Sequence, residues 1–377
     1  MVDAGAASSA PSVEMIRRAP KVLLHDHLDG GLRPATIIEL ADETGYRNLP
    51  HRDAEKLAAW IRRGADRKDL TLYLETFVHT VAVMQTSDAI VRVARECAED
   101  LAADGVVYAE VRFAPELFTE RGLSLDDAIE AALEGFRQGS HGAGLTIRAI
   151  CCAMRHLERS LEVAAAAVRW RDRGVVAFDI AGPENGFPPD DHLAAFQYCR
   201  QEDFGITIHA GEAAGTESIR KALQVCGAER LGHGVRIIED VATADDGDRR
   251  LGRIAQYVRD RGIPLEVCPT SNINTGAYDT IAMHPVDTLV SLQFCVTVNT
   301  DNRLMSGVSM TSELAALAEA FGYGWDRLRE FTVNAAESSF LPLPDRLDII
   351  NNVILPCYAR LEESPASSEP RRVLDSR

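Results

Sequence analysis

The chain has no Cys-x-x-Cys pair, no long apolar run and no excess of basic residues, and each absence removes a class of protein. Its eight cysteines fall at irregular positions, so neither a zinc ribbon nor a disulfide framework is indicated. Cys151, Cys152 and Cys268 sit inside apolar runs, as small core residues do. Reduced thiols of this kind fit a cytoplasmic location. Met1 to Pro20 lack the continuous apolar stretch of a signal peptide. No segment approaches the roughly 20 apolar residues that a membrane span requires. Lys and Arg number 40 against 57 Asp and Glu, a net charge of −17. That sign disfavours a nucleic-acid partner, whose phosphates are neutralised by basic side chains. There is no internal repeat.

What is present is a large apolar complement, 46% of 377 residues, enough for one extensive core. Eight β-branched apolar runs follow one another: 22–29, 106–116, 146–155, 175–182, 206–212, 230–235, 264–270 and 296–302. Most intervals between them hold alanine-rich, charged stretches of helical period, such as 160–173, 190–202, 248–261 and 309–321. Alternating strands and helices predict a parallel sheet, and eight units predict a closed (β/α)8 TIM barrel. A doubly wound open sheet is the competing topology. It is disfavoured because polar residues end the first, fifth, sixth and eighth runs, which one switch point would not gather. The expected organisation is a single domain over 13–363 with additional C-terminal helices. A helical lid insertion follows the first strand at 31–105, and disordered segments lie at 1–12 and 364–377.

The chemistry lies at the ends of the runs. In a strand, residues i and i+2 face one side, so His25 and His27 point together toward the barrel axis. His209 ends the fifth run, with Glu212 three residues on, past Gly211. His233 lies between Gly232 and Gly234, and Asp301 ends the eighth run. Residues so far apart in sequence act together if the carboxyl ends of the strands converge, as they do in such a barrel. Three histidines and an aspartate are a plausible zinc set, leaving Glu212 and His233 to handle protons. Each of these residues, taken alone, could equally be structural.

The segments His25-Asp26-His27-Leu28-Asp29-Gly30, His209-Ala210-Gly211-Glu212, Leu231-Gly232-His233-Gly234 and Asn299-Thr300-Asp301 resemble the ordered motifs of the adenosine deaminase family of zinc amidohydrolases. The resemblance implies deamination of adenosine and 2′-deoxyadenosine to the inosine nucleosides and ammonia. It implies His25, His27, His209 and Asp301 as ligands of one Zn2+, with Glu212, His233 and Asp301 catalytic. His27, Asp29, Gly182 and Asn302 would bind substrate. Gly182 would meet purine N3, Asp29 the ribose 5′-hydroxyl and Asn302 purine N7, while Tyr73, Leu74 and Phe77 would cover the ribose. The fourth run ends Phe178-Asp179-Ile180-Ala181-Gly182 without a lysine to bridge two metals.

Two departures stand out. Where the family has a second aspartate after the first, this chain has Asn302, whose amide donates to an acceptor without needing a proton. Pro183 follows Gly182 where an aspartate is common, and removes a backbone donor. The rival readings are an aminohydrolase of adenine or a modified adenine nucleoside, an ester or amide hydrolase, and a catalytically inactive nucleoside-binding relative. The sequence carries no indication of oligomeric state.

Overall fold

A computed structural model of the protein describes residues 11–244 and 247–363. Most of the expected 1–12 segment, and all of 364–377, lie outside them. Within the first, Ser12 already acts as a helix cap. Its Oγ accepts from Met15 N–H at 3.3 Å and starts the helix Val13–Arg18.

Eight strands follow in order: β1 (Lys21–His27), β2 (Val106–Phe113), β3 (Thr146–Met154), β4 (Val175–Ala181), β5 (Gly205–Ala210), β6 (Arg230–His233), β7 (Leu265–Val267) and β8 (Val296–Val298). Each pairs in parallel with the next, so spatial order equals sequence order and there is no switch point. The seam between β8 and β1 closes differently. Asp301 N–H donates to His25 O at 2.9 Å, and His27 N–H donates to Asp301 O at 2.7 Å. Beside them, the Asn299 side chain stands in for backbone, its Oδ1 accepting from Leu24 N–H at 2.9 Å and His25 N–H at 3.1 Å. A side chain completes the barrel.

Several strands are shorter than the apolar runs that encode them. The run 296–302 yields a strand only to Val298, and 230–235 only to His233. The chain leaves extended geometry where it presents chemistry: Asp301 and His233 take left-handed backbone at φ 57° and 61°. Such backbone is uncommon for residues other than glycine.

The interval 31–105 divides in two. Pro34–Thr44, Ala54–Ala65 and the short helices between Leu70 and Val83 rise beside the carboxyl ends of the strands. Asp53, Asp69 and Thr86 start helices here by accepting from backbone N–H groups. The last helix, Ser87–Ala103, belongs instead to the outer ring. It packs along Leu125–Ser140, closely enough that a Cβ on Gly135 or Gly139 would lie 2.3 or 2.2 Å from the carbonyl oxygen of Val91 or Arg95. The C-terminal helices Leu343–Asp348 and Leu355–Glu363 are joined through a π-helical turn. An antiparallel ribbon, Val241–Thr243 with Arg249–Leu251, is an addition that the apolar pattern did not indicate. Among the described residues, no helix is long and apolar enough to cross a membrane.

Candidate active site

The barrel interior carries charge as well as apolar packing. Glu110, Arg112, Asp179, Arg230 and Glu266 are buried, each aimed inward from its strand. Arg112 donates to Asp179 and to Glu266, both at 2.6 Å. Arg230 donates to Glu266 at 2.7 Å and pairs with Glu110 at 2.7 Å. A buried charge without a partner is costly, and here each finds one. Burial opposes ionisation of Glu266, yet Arg112 and Arg230 outweigh it and hold the carboxyl well below its ordinary range.

This layer supports the histidines above it. His25 Nδ1 lies 3.0 Å from Glu266 Oε2, and His209 Nδ1 lies 2.8 Å from Asp179 Oδ2. With their Nδ1 atoms turned down to carboxylates, both imidazoles present Nε2 upward, as metal-ligating histidines do. There, His25 Nε2 and His27 Nε2 each lie 3.3 Å from Asp301 Oδ1. His27 Nε2 lies 3.2 Å from His209 Nε2. One ligand atom from each of His25, His27, His209 and Asp301 falls within 4.8 Å of the others.

The set fits a divalent cation on its own chemistry. His25 Nε2 is buried without a hydrogen-bond partner, and three imidazole nitrogens converge with one carboxylate oxygen on a common centre. Burial pushes His27 well below its ordinary value, which leaves it neutral. Burial also opposes ionisation of Asp301, but His25, His233 and His27 prevail and keep it an anion. Ser271 Oγ donates to Asp301 Oδ2 at 2.5 Å.

Glu212 and His233 border this cluster, His233 Nε2 standing 3.6 Å from Glu212 Oε2. Burial first, then the Asp301 charge, push the Glu212 carboxyl up to about 8. It therefore holds a proton at neutral pH. Its loop is fastened by Glu184, the residue after Pro183. Glu184 Oε2 accepts from the N–H groups of Glu212, Ala213 and Ala214 at 3.0, 2.7 and 2.8 Å. Its Oε1 accepts from Gly211 N–H at 2.7 Å and Ser218 Oγ at 2.6 Å.

Over the cluster opens a cavity of about 590 Å3 whose wall includes His27, Asp29, Gly182, Pro183, Glu212, His233, Asp301 and Asn302. Its far side is apolar and comes from the insertion: Leu70, Tyr73, Leu74, Phe77 and Val78. All three expected cover residues reach the wall. Asp29 Oδ1 is buried without a partner, and burial pushes that carboxyl up to about 7. The fold thus brings together every residue singled out from the sequence. Sequence reasoning gave no role to Arg112, Asp179, Glu184, Glu266, Ser271, Asn272 or His284. For Asp179 and Glu266 the signal was a lone acid inside an apolar strand.

Known proteins share both the sequence and the fold. The chain is 59% identical to adenosine deaminase 1 of Streptomyces coelicolor, over 95% of this chain and 91% of that one. It is 56% identical to an adenosine deaminase of Mycobacteroides abscessus, over 92% and 97%. Among solved structures, an adenine deaminase from Arthrobacter aurescens superposes with a TM-score of 0.78 at 25% identity, covering 92% of this chain and all of that one. Residues 20–356 match the adenosine deaminase family, and the chain belongs to that family.

Proposed function

We propose that the protein is a zinc-dependent enzyme that converts adenosine and 2′-deoxyadenosine to inosine and 2′-deoxyinosine with release of ammonia. The observation that carries this reading is the convergence of His25, His27, His209 and Asp301 within 4.8 Å, with the buried Glu212 carboxyl beside them. It is supported by the adenosine deaminase relatives at 56 to 59% identity.

His25, His27, His209 and Asp301 would hold the metal; histidine ligation favours zinc over magnesium. When bound, the ion supplies the Lewis acidity that makes a water nucleophilic near neutral pH. The protein's own groups do the rest. Asp301 and His233 orient the attacking water toward purine C6. Glu212 gives its proton to N1, which makes C6 more electrophilic. Water adds its oxygen to C6. One of its protons goes to the departing amine, which leaves as ammonia as the C6–N bond breaks, and the other restores the Glu212 carboxyl, so that inosine keeps the proton on N1. Gly182 and Asn302 line the cavity; the backbone N–H of Gly182 would meet N3, and the Asn302 amide would donate to N7. Asp29 would accept the ribose 5′-hydroxyl, and the described residues lining the cavity include no Lys or Arg to neutralise a 5′-phosphate, so a nucleoside is favoured over a nucleotide.

Deamination of free adenine is the second reading, favoured by the adenine deaminase likeness. Asp29 and the apolar wall from the insertion, which suit a ribose, argue against it. The test is ammonia release from adenosine, 2′-deoxyadenosine, adenine and AMP by zinc-loaded protein, with a chelated control. Chelator-sensitive release from the two nucleosides is expected. Release from adenine or AMP alone would refute the assigned pocket while leaving the metal chemistry standing.

A further inference from the structure

Behind His233 runs a chain of hydrogen bonds whose direction is fixed at its far end. Val286 N–H donates to His284 Nδ1 at 3.1 Å. A backbone N–H can only donate, so that ring nitrogen is an acceptor and carries no proton. His284 is almost fully buried, and burial pushes it down to about 3, so it is neutral and its proton sits on Nε2. His284 Nε2 lies 3.2 Å from Asn272 Oδ1 and donates to it. The amide's other end is therefore turned away: Asn272 Nδ2 lies 3.1 Å from His233 Nδ1. The reverse amide orientation would set its NH2 against the His284 N–H, two donors face to face. Asn272 is wholly buried, so water offers no compensation.

We propose that Asn272 and His284 are positioning residues that lock His233 in the tautomer with its proton on Nε2. The consequence reaches the reaction centre. His233 Nε2, the atom 3.6 Å from Glu212 Oε2, faces the reacting atoms as a hydrogen-bond donor with no lone pair to give. His233 thus orients and stabilises the oxygen that attacks C6, and does not take its proton. To serve as a base it would need its proton on Nδ1, against the Asn272 NH2, and the whole chain back to Val286 forbids that. The link to catalysis rests on the proposed function; the tautomer itself does not.

The decisive variant is Asn272→Asp, nearly the same shape but an acceptor on both sides. His284 Nε2–H can still donate to one carboxylate oxygen, and the other then accepts from His233 Nδ1, inverting the tautomer. Protein labelled with 15N-histidine reports the protonated nitrogen directly in two-bond 1H–15N spectra, with His233→Gln used to assign the signal. Wild type should show His233 protonated at Nε2, and Asn272→Asp at Nδ1. Loss of a donor aimed at developing charge costs roughly 10²- to 10³-fold, so kcat should fall by about that factor with KM little changed. A His233 that stays Nε2-protonated in the variant, or an unchanged kcat, overturns the proposal. If Asn272→Asp does not fold, His284→Phe and His284→Gln decide. Phenylalanine keeps the ring shape without a donor, whereas glutamine restores an N–H. A packing role predicts that phenylalanine is the better replacement; the tautomer lock predicts glutamine. Wild type that releases no ammonia from adenosine, yet shows the tautomer inverting, would refute the substrate and leave the lock intact.

Discussion

Replacing Glu184 by glutamine isolates one carboxylate oxygen from an otherwise conserved shape. Hydrogen bonds to a charged group are worth about 1.5–3 kcal/mol and neutral ones about 1. Glu184 makes five, four of them to successive backbone N–H groups from Gly211 to Ala214. Glutamine does best by placing its oxygen at the three-donor position. Three bonds then weaken by about 1 kcal/mol each, and the amide NH2 faces the Gly211 N–H, orphaning a buried donor at about 1–3 kcal/mol. Relief from no longer burying a charge offsets part of this, leaving a net loss of about 2–4 kcal/mol. The same loop carries Glu212, and displacement of a reacting group by about 1 Å can lower a rate by about 10². Urea unfolding and steady-state ammonia release should therefore both change, with kcat falling about 10- to 100-fold. Ser218→Ala removes one donor and leaves the charge, so its effect should be several-fold smaller. A Glu184→Gln variant that unfolds at the wild-type midpoint and turns over within about twofold of wild type would refute the reasoning.

Three further outcomes follow from the geometry. The Glu212 carboxyl is active while protonated, and burial holds its pKa near 8, so kcat/KM should fall about tenfold per pH unit above that value. Stability responds over a different window: a carboxyl raised on folding from 4.5 to about 8 stabilises fully below the lower value, loses that contribution as pH rises to the upper one, and changes nothing beyond it. A kcat/KM that stays flat from about pH 8 to 9.5, or stability that does not fall between about pH 5 and 8, would contradict the assignment. Stripping the metal should abolish turnover and lower Tm, because a ligand at 100 times its Kd contributes about 2.7 kcal/mol to the folded state; calorimetry of metal-free protein with an unchanged Tm would remove the cation from the folded structure. Gly30→Ala would place a Cβ 1.9 Å from Asn302 Oδ1 and push that side chain off its seat. KM for adenosine should rise about tenfold, a shift of about 1.4 kcal/mol, and wild-type KM in this variant would show that Asn302 does not touch the purine.

The barrel and its upper rim were legible because two regularities survive in any sequence. Strands buried on both faces read as apolar runs, and residues at their ends can be polar only where the fold gathers them. His25, His27, His209, Glu212, His233 and Asp301 were found that way. The layer beneath was not. Arg112, Asp179 and Glu266 pair across strands that are far apart in the chain, and a single acid in a run such as Leu265-Glu266-Val267 names no partner. Asn272 and His284 were harder still, since their meaning lies in the direction of hydrogen bonds. Ser87–Ala103 was assigned to the insertion because helical period does not say which surface a helix covers. Its packing along Leu125–Ser140, with Gly135 and Gly139 against Val91 and Arg95, places it in the outer ring.

The seam between β8 and β1 is also where the proposed metal ligands meet. His25 and His27 stand on one side of it and Asp301 on the other, joined by the backbone bonds from Asp301 to His25 and His27. A ribosome releases these two sides more than 270 residues apart. An emerging chain therefore carries two imidazoles from the outset and cannot complete their coordination until almost all of its length is made. Under the proposed function, metal capture would thereby be tied to barrel closure, with the ion as a clasp between the first strand and the last.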